Sequence, residues 1–418
     1  MAYKARKGDF TRIGSKNGKG LSFKNIILMQ LNGLDYSYRT ELDEFFNPSL
    51  KRSPHDIPSP AAFCLGRKKV KHEVFIELNA NFRDSIYRNI IVKDWHGYRL
   101  IAVDGSSVHV PDTDENVEYF GGIYAASGNG QICPKARISF AYDPLNRMLI
   151  DARMAPYHTS EDELARLHLE GASPNDLNLY DRGYASYRLF RLHEDHGVHY
   201  CARLPVDLFT TLTEPFLASK CNDTVVEYAP SANALAACKK DGLSVAPVKI
   251  RLIKVVLNTG EIEVLATNVF DKRICVKSFK ALYHLRWSVE EEYKRLKCRA
   301  EIEAFSGELR EFVFQDFYAD ILRLNISAQV AMPARQKLLK AGVKDKHLHA
   351  PNMSYAFSKL TLVLETTMFS NEDKLSLLLK NLTESLCRGS EPIRPGREYP
   401  RERKPLRSGY SKPYKRAG

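Results

Sequence analysis

Tyr98-Arg99-Leu100-Ile101-Ala102-Val103-Asp104-Gly105 is a short apolar run that ends on an acid and a glycine, the pattern of a strand and its exit. Downstream, Lys135–Tyr142 and Arg147–Ala155 flank Asp143-Pro144-Leu145-Asn146, which predicts a hairpin. Ser160-Glu161-Asp162-Glu163 has the form of a capping box before Leu164 and Leu167, so a helix should begin there. A strand at Leu177–Tyr180, a helix at Ser186–His196 and a strand at Val198–Leu204 follow. Strand, hairpin, helix, strand, helix, strand describes a mixed α/β sheet with helices on its faces.

Outward from this core the periodicity changes. Residues 1–20 are rich in Gly, Lys and Arg without a repeat, and read as a flexible basic arm. From Leu21 the apolar spacing is helical, and Ser59-Pro60 reads as N-cap and first residue of a helix through Phe63 and Leu65. Arg67, Lys68, Lys69 and Lys71 lie on or just after that helix, which makes residues 21–95 a candidate helical DNA-binding domain. A solvated basic face is the competing reading of the same four residues. Between 206 and 270 the strands Val225–Tyr228, Val245–Leu257 and Glu261–Ala266 suggest an all-β insertion. The core therefore comprises 96–205 and 271–330, and 331–387 is a helical region whose Leu-rich faces are candidates for dimerisation. Residues 388–418 hold five Pro and four Gly among their charges and read as a disordered basic tail.

The 418 residues carry 62 Lys and Arg against 50 Asp and Glu, +12 with neutral His. The excess sits at the ends: residues 1–24 contribute +6 and residues 388–418 contribute +7, leaving −1 between them. Basic arms on a near-neutral body point to a polyanion, most simply nucleic acid. No apolar run approaches the ~18 residues of a membrane span, and no apolar stretch follows the basic start as in a signal peptide. The eight Cys form no CxxC pair, which argues against a zinc ribbon and fits a reducing cytoplasm. The histidines 193, 196 and 199 sit at spacings usual for surface or core residues and make a poor metal set.

Three acids stand out by context. Asp104 and Asp181 each leave a strand, the place where ligands gather in α/β sheets, although an Asp before Gly is commonly only a turn residue. The third, Glu290, lies in Tyr283-His-Leu-Arg286-Trp-Ser-Val-Glu290-Glu-Glu-Tyr-Lys-Arg-Leu-Lys297. At about 100° per residue, Tyr283, Arg286, Glu290 and Lys297 fall within about 60° on one helix face. A carboxylate among cations there suits a metal ligand flanked by phosphate contacts, and equally an amphipathic helix with ion pairs. Ser288 with Glu291 could cap a new helix and kink the face at that point.

Asp104 after a strand, the Asp181-Arg182-Gly183-Tyr184 block and Tyr-x2-Arg-x3-Glu-x6-Lys from Tyr283 to Lys297 together resemble the DDE transposases of the insertion sequence 4 type. All four positions of the last pattern match, and 77 and 109 residues separate the successive acids. Phe63-Cys64-Leu65-Gly66-Arg67-Lys68-Lys69 is similar to the N-terminal helical region of that family, and the resemblance covers roughly residues 20–330.

The resemblance implies a ribonuclease H-like catalytic core in which Asp104, Asp181 and Glu290 are the catalytic residues and hold two Mg²⁺ ions, with Mn²⁺ a workable substitute. It implies cleavage of double-stranded DNA at element ends, a hairpin on the end, and joining to target DNA by a homodimer. Tyr283, Arg286 and Lys297 would hold phosphates beside a flipped base. Some relatives stack that base on a Trp in the insertion; here only Trp95 and Trp287 exist, leaving Phe209, Phe216 or Tyr228 as aromatic alternatives. A cytoplasmic protein, nucleoid-associated when bound to DNA, is expected. A structure-specific endonuclease on the same fold and a catalytically silent DNA-binding derivative are the rival readings.

Overall fold

Serine side chains start four of the first seven helices, each accepting a backbone N–H of the first turn, as an N-cap must. In a computed structural model, which describes residues 21–46, 57–124, 132–257, 260–287, 289–290, 293, 302–343 and 346–393, these caps are Ser22, Ser59, Ser160 and Ser186. They open α1 (Phe23–Asn32), α3 (Pro60–Arg67), α6 (Glu161–Leu169) and α7 (Tyr187–His196). Between them run α2 (Tyr38–Phe46), α4 (Glu73–Asn89) and α5 (Asp114–Phe120). The arm 1–20, Lys297 and the tail from 394 lie outside the described residues.

The chain divides into two compact units. Of the described residues, Asn89–Ser107 and 137–293 form one, and the remainder form the other. In the first, β1 (Arg99–His109, this unit taking it to Ser107), β3 (Ile132–Asp143, this unit taking it from Arg137), β4 (Met148–Pro156), β5 (Asp176–Tyr180) and β6 (His199–Arg203) build the predicted mixed sheet in the order β4-β3-β1-β5-β6. β1, β5 and β6 are parallel neighbours. Parallel strands flanked by the β3–β4 pair make this a mixed sheet, as the strand and helix pattern predicts. The β3–β4 turn forms because Asp143 Oδ1 accepts the N–H groups of Leu145 and Asn146, at 2.9 and 3.0 Å.

The segment 206–270 differs from an all-β insertion in two ways. It contains α8 (Thr210–Ala218) and α9 (Ala232–Lys240) beside β7 (Asp223–Tyr228), β8 (Val248–Val256) and β9 (Ile262–Thr267). Its strands also continue the core sheet, because β9 pairs antiparallel with β6 and carries β8 and β7 outward. Ala-rich composition with a Ser231 cap explains α9, while Pro215 inside α8 hides its periodicity. Leu100, Leu177, Leu179, Cys201, Ile253 and Leu265 are fully buried in a cluster shared by core and inserted strands.

In the other unit, α11 (Arg310–Val330), α12 (Met332–Ala341), α13 (Met353–Ser358), α14 (Leu360–Phe369) and α15 (Glu372–Arg388) make up the C-terminal region. Val363, Leu382 and Leu386 pack with Ala331 and Ala334 inside this unit. Within the segment read as a disordered tail, Glu391–Ile393 pairs antiparallel with Leu348–Ala350. β2 (Gly122–Tyr124) pairs with the first residues of β3, so closely that a Cβ at Gly122 would stand 2.1 Å from the Cys133 carbonyl oxygen.

Candidate active site

Parallel register aligns two of the three acids. β1 and β5 pair Arg99 with Asp176 and Ala102 with Leu179, and two residues further that register sets Asp104 beside Asp181. β5 and β6 pair Tyr180 with Ala202, which sets Asp181 beside Arg203. Neighbouring strands lie about 4.8 Å apart, and laterally paired residues point to the same face. Carried on past the last paired residues, that register brings Asp104, Asp181 and Arg203 to one level, where the parallel pairing of β1, β5 and β6 stops although β1 itself runs on. The row ends in an ion pair, Arg203 Nη2 to Asp181 Oδ1 at 2.9 Å, and Arg203 also holds Glu263 at 2.6 Å.

Asp104 lies inside β1, which runs on to His109, and not at a strand exit as the sequence suggests. Gly105 serves close approach: a Cβ there would meet Glu161 Cγ and Cδ at 2.7 Å. Glu161, in the first turn of α6, is thereby a fourth acid at the site, held by Arg137 at 3.1 Å.

Glu290 arrives from the other end of the chain. α10 (Val276–His284) gives way to a 3₁₀ turn at Leu285–Trp287, so one continuous helix does not carry the four-residue face. The break falls just before Ser288, as the capping alternative anticipates, and Ser288 itself lies outside the described residues. Tyr283, Arg286 and Glu290 nevertheless stay together. Arg286 Nη2 bonds Glu290 Oε1 at 3.0 Å, its guanidinium lies 5.9 Å from the Tyr283 ring centroid, and Tyr283 Oη donates to the Tyr180 carbonyl at 3.2 Å. Tyr283 and Arg286 are nearly buried, beside the row.

The charges couple across this cluster. Burial pushes the Asp104 carboxyl up to about 6, reinforced by Glu290 and Glu161 and opposed by the Gly105 N–H and Arg286. Burial works the same way on Asp181, yet the Arg182 N–H, Arg203 and Arg286 hold it below its ordinary value. Burial works against the Arg286 charge, but the negative charges of Asp181 and Glu290 outweigh it and hold the guanidinium above its ordinary value. Arg286 thus feels all three acids.

Three carboxylates on fixed backbone fit hard divalent cations, which prefer oxygen ligands. The three do not gather within 4.8 Å of one another; among the described residues the group that does is His72, Glu73 and Glu311. Guanidinium groups hold Asp181 and Glu290, and like charge separates Asp104 from Glu290. The His72 group, in the other unit, is internally satisfied: Glu311 accepts the His72 N–H at 2.6 Å and Nδ1 at 3.0 Å, and the ring stacks on Phe314.

Other candidates fall elsewhere. Arg67 is a correction: it is fully buried in its unit, donating to Gln315, Ser306, Tyr38, the Phe312 carbonyl and Asp316. An arginine so enclosed cannot meet DNA, whereas Lys68, Lys69 and Lys71 are exposed. Phe209 and Phe216 are buried, and Tyr228 packs on Phe209 and Tyr187. His193 is a core residue whose Nδ1 meets the Leu189 carbonyl at 2.9 Å, while His196 Nδ1 meets Leu192, so these histidines do not converge. Sequence reasoning missed Arg203 and Glu161, because only strand register and the space at Gly105 bring them in.

The family described as "Transposase DDE domain" matches residues 95–326, more than half of the chain, which belongs to the DDE transposase family. The chain is similar to transposase InsG for insertion sequence element IS4 of Escherichia coli (strain K12), 25% identical over 312 residues, 73% of this chain and 68% of InsG. It is 32% identical to InsZ of the same organism over 93 residues, 22% of this chain and 31% of InsZ. The insertion sequence 4 type is thus the branch its motifs resemble. A piggyBac transposase solved by cryo-EM as a synaptic complex with hairpin DNA aligns with a TM-score of 0.41 at 11% identity, over 86% of this chain and 75% of that one. Among the described residues no helix is long and apolar enough to cross a membrane.

Proposed function

We propose that the protein is a cut-and-paste DNA transposase whose catalytic carboxylates are Asp104, Asp181 and Glu290. The observation that carries this reading is the shared row of Asp104 and Asp181 with Glu290 coupled to Asp104 around one guanidinium, Arg286. Asp104, Asp181 and Glu290 would hold two Mg²⁺ ions, which would supply activation of the attacking oxygen and stabilisation of the leaving one in an in-line phosphoryl transfer. The protein's part is to bind and orient. β1 and β5 fix two carboxylates at one height, and Arg286 holds the third at their side. Tyr283 stays buried, its hydroxyl fixed to the Tyr180 carbonyl next to Asp181. With Arg286 enclosed and engaged by Glu290, Lys297 is the contact for phosphates beside the scissile bond, and the exposed Lys68, Lys69 and Lys71 contribute to duplex binding. Two chains act on two element ends, passing through a hairpin before joining target DNA.

The test incubates full-length protein with a labelled element end and Mg²⁺ or Ca²⁺, separating nicked, hairpin and joined products. Asp104→Asn, Asp181→Asn and Glu290→Gln should each remove all three products in Mg²⁺ and retain end binding. A triple variant that still cuts refutes the assignment; nicks without hairpin or joined DNA leave an endonuclease.

A further inference from the structure

Behind Asp104, in the same unit, runs a chain of side chains that no part of the acidic motif includes. Ser139 of β3 is fully buried, and its Oγ lies 3.0 Å from His168 Nε2. His168 Nδ1 faces Asp151 Oδ2 at 2.7 Å, and the same oxygen accepts Arg153 Nε at 2.7 Å. Serine, histidine and aspartate in this order have the composition of a hydrolytic triad. The placement excludes nucleophilic attack, because no substrate reaches a buried hydroxyl that donates to the Asp104 main-chain carbonyl at 3.3 Å. The same carbonyl oxygen accepts Tyr293 Oη at 2.5 Å. Tyr293 lies three residues beyond Glu290, and its ring stacks on Phe140, the neighbour of Ser139, with centroids 4.3 Å apart. One peptide oxygen thus ties the Asp104 strand both to β3 and to the segment bearing Glu290.

We propose that Asp151, His168 and Ser139 form a positioning relay which, with Tyr293, locks the Asp104 peptide so that its carboxylate faces Glu290; this rests on reading those two acids as metal ligands. A strand residue re-aims its side chain when its peptide plane turns. Anchoring the carbonyl by two hydroxyls, one braced through His168 and Asp151 to Arg153, removes that freedom. Groups that orient a ligand without touching the metal are often worth 10–100-fold in affinity or activity.

The experiment titrates full-length protein with Mn²⁺, no DNA present, following free Mn²⁺ by electron paramagnetic resonance. In parallel, the Mg²⁺ concentration for half-maximal end cleavage and the thermal midpoint are measured. Ser139→Ala and His168→Phe should weaken Mn²⁺ binding about 10-fold and raise the half-maximal Mg²⁺ in proportion. Ser139→Thr, which keeps the hydroxyl, should stay within about twofold of wild type. If His168→Phe does not fold, Ser139→Ala carries the test. Unchanged Mn²⁺ affinity in Ser139→Ala overturns the relay, even with a lowered thermal midpoint, since a merely structural hydroxyl would behave so. Asp104→Asn separates the two levels: if it loses Mn²⁺ and cleavage while Ser139→Ala keeps both, the relay alone fails. If Asp104→Asn keeps both, the ligand assignment fails beneath it.

Discussion

Replacing Arg67 by alanine removes a guanidinium with no solvent exposure and strands its neighbours. Asp316 Oδ1 loses a 2.5 Å ion pair, and Gln315 Oε1 and the Phe312 carbonyl lose donors at 2.7 and 3.2 Å. Asp316 keeps the Ser306 N–H at 2.8 Å and the Ser306 hydroxyl, so its charge is not left bare. Breaking a buried pair from one side costs about 3–5 kcal/mol, and the retained Ser306 bonds favour the lower part of that range. A further contribution disappears with the contact between the guanidinium and the Phe312 ring, 4.3 Å to its centroid. The assay is urea unfolding followed by circular dichroism, with DNA-end binding measured well below the transition. Arg67→Ala should lower the unfolding free energy by about 3 kcal/mol and leave the affinity of the folded fraction intact. Lys68→Ala and Lys71→Ala, both exposed, should shift stability by no more than about 0.5 kcal/mol. An Arg67→Ala protein with wild-type stability and weakened DNA binding would refute the burial argument.

Gly105→Ala places a methyl 2.7 Å from Glu161 Cγ and Cδ, and should cost about 1–3 kcal/mol in urea unfolding; adding Glu161→Ala should recover most of it, and no recovery means another contact is responsible. Burial pushes His193 down to about 4, so its folded form resists protonation while the unfolded chain titrates near 6.5. Its contribution is full above the unfolded value and lost as pH falls: from pH 7 to 4, wild type should lose about 3 kcal/mol more than His193→Gln, and parallel curves would show the histidine to be accessible. DNA-end affinity should fall steeply with salt, and removing 388–418, with ten Lys and Arg, should flatten the slope; an unchanged slope in the truncated form excludes the tail from phosphate contact.

The sheet was legible because its strands are apolar runs bounded by turn residues, and its helices open on Ser. Such signals are local: Asp143-Pro144-Leu145-Asn146 needs only its own Asp side chain to turn. What stayed hidden depends on partners distant in sequence. Arg67 reads as one of a basic cluster until Asp316, 249 residues away, is placed against it. Arg203 reads as an ordinary strand residue until register sets it beside Asp181. The strand through Asp104 continues past Gly105 because the missing side chain makes room for α6, a tertiary reason that imitates a turn signal. The Tyr283–Glu290 spacing kept its meaning through a 3₁₀ break, since Arg286 and Glu290 still meet across it.

The acid row is electrically lopsided, and that asymmetry has a measurable consequence. Asp181 has Arg203 beside it on the next strand. Among the described residues Asp104 has no such neighbour on the β3 side, where the Arg137 guanidinium pairs with Glu161. Partly buried and facing Glu290 and Glu161, the Asp104 carboxylate is held in its charged form at a cost to folding, its carboxyl raised to about 6. Positions shaped for function in this way are commonly suboptimal for stability. Asp104→Asn removes the charge, keeps the shape and leaves the main-chain carbonyl bonds to Ser139 and Tyr293 in place. At neutral pH without divalent ions it should stabilise the fold by about 1–3 kcal/mol, the free energy of charging a carboxyl so raised, discounted for its partial exposure. Asp181→Asn should do the reverse, because it breaks the pair with Arg203. Denaturant midpoints of the two variants, compared with wild type, decide the matter: both moving down would mean that Asp104 is well compensated and the imbalance does not exist.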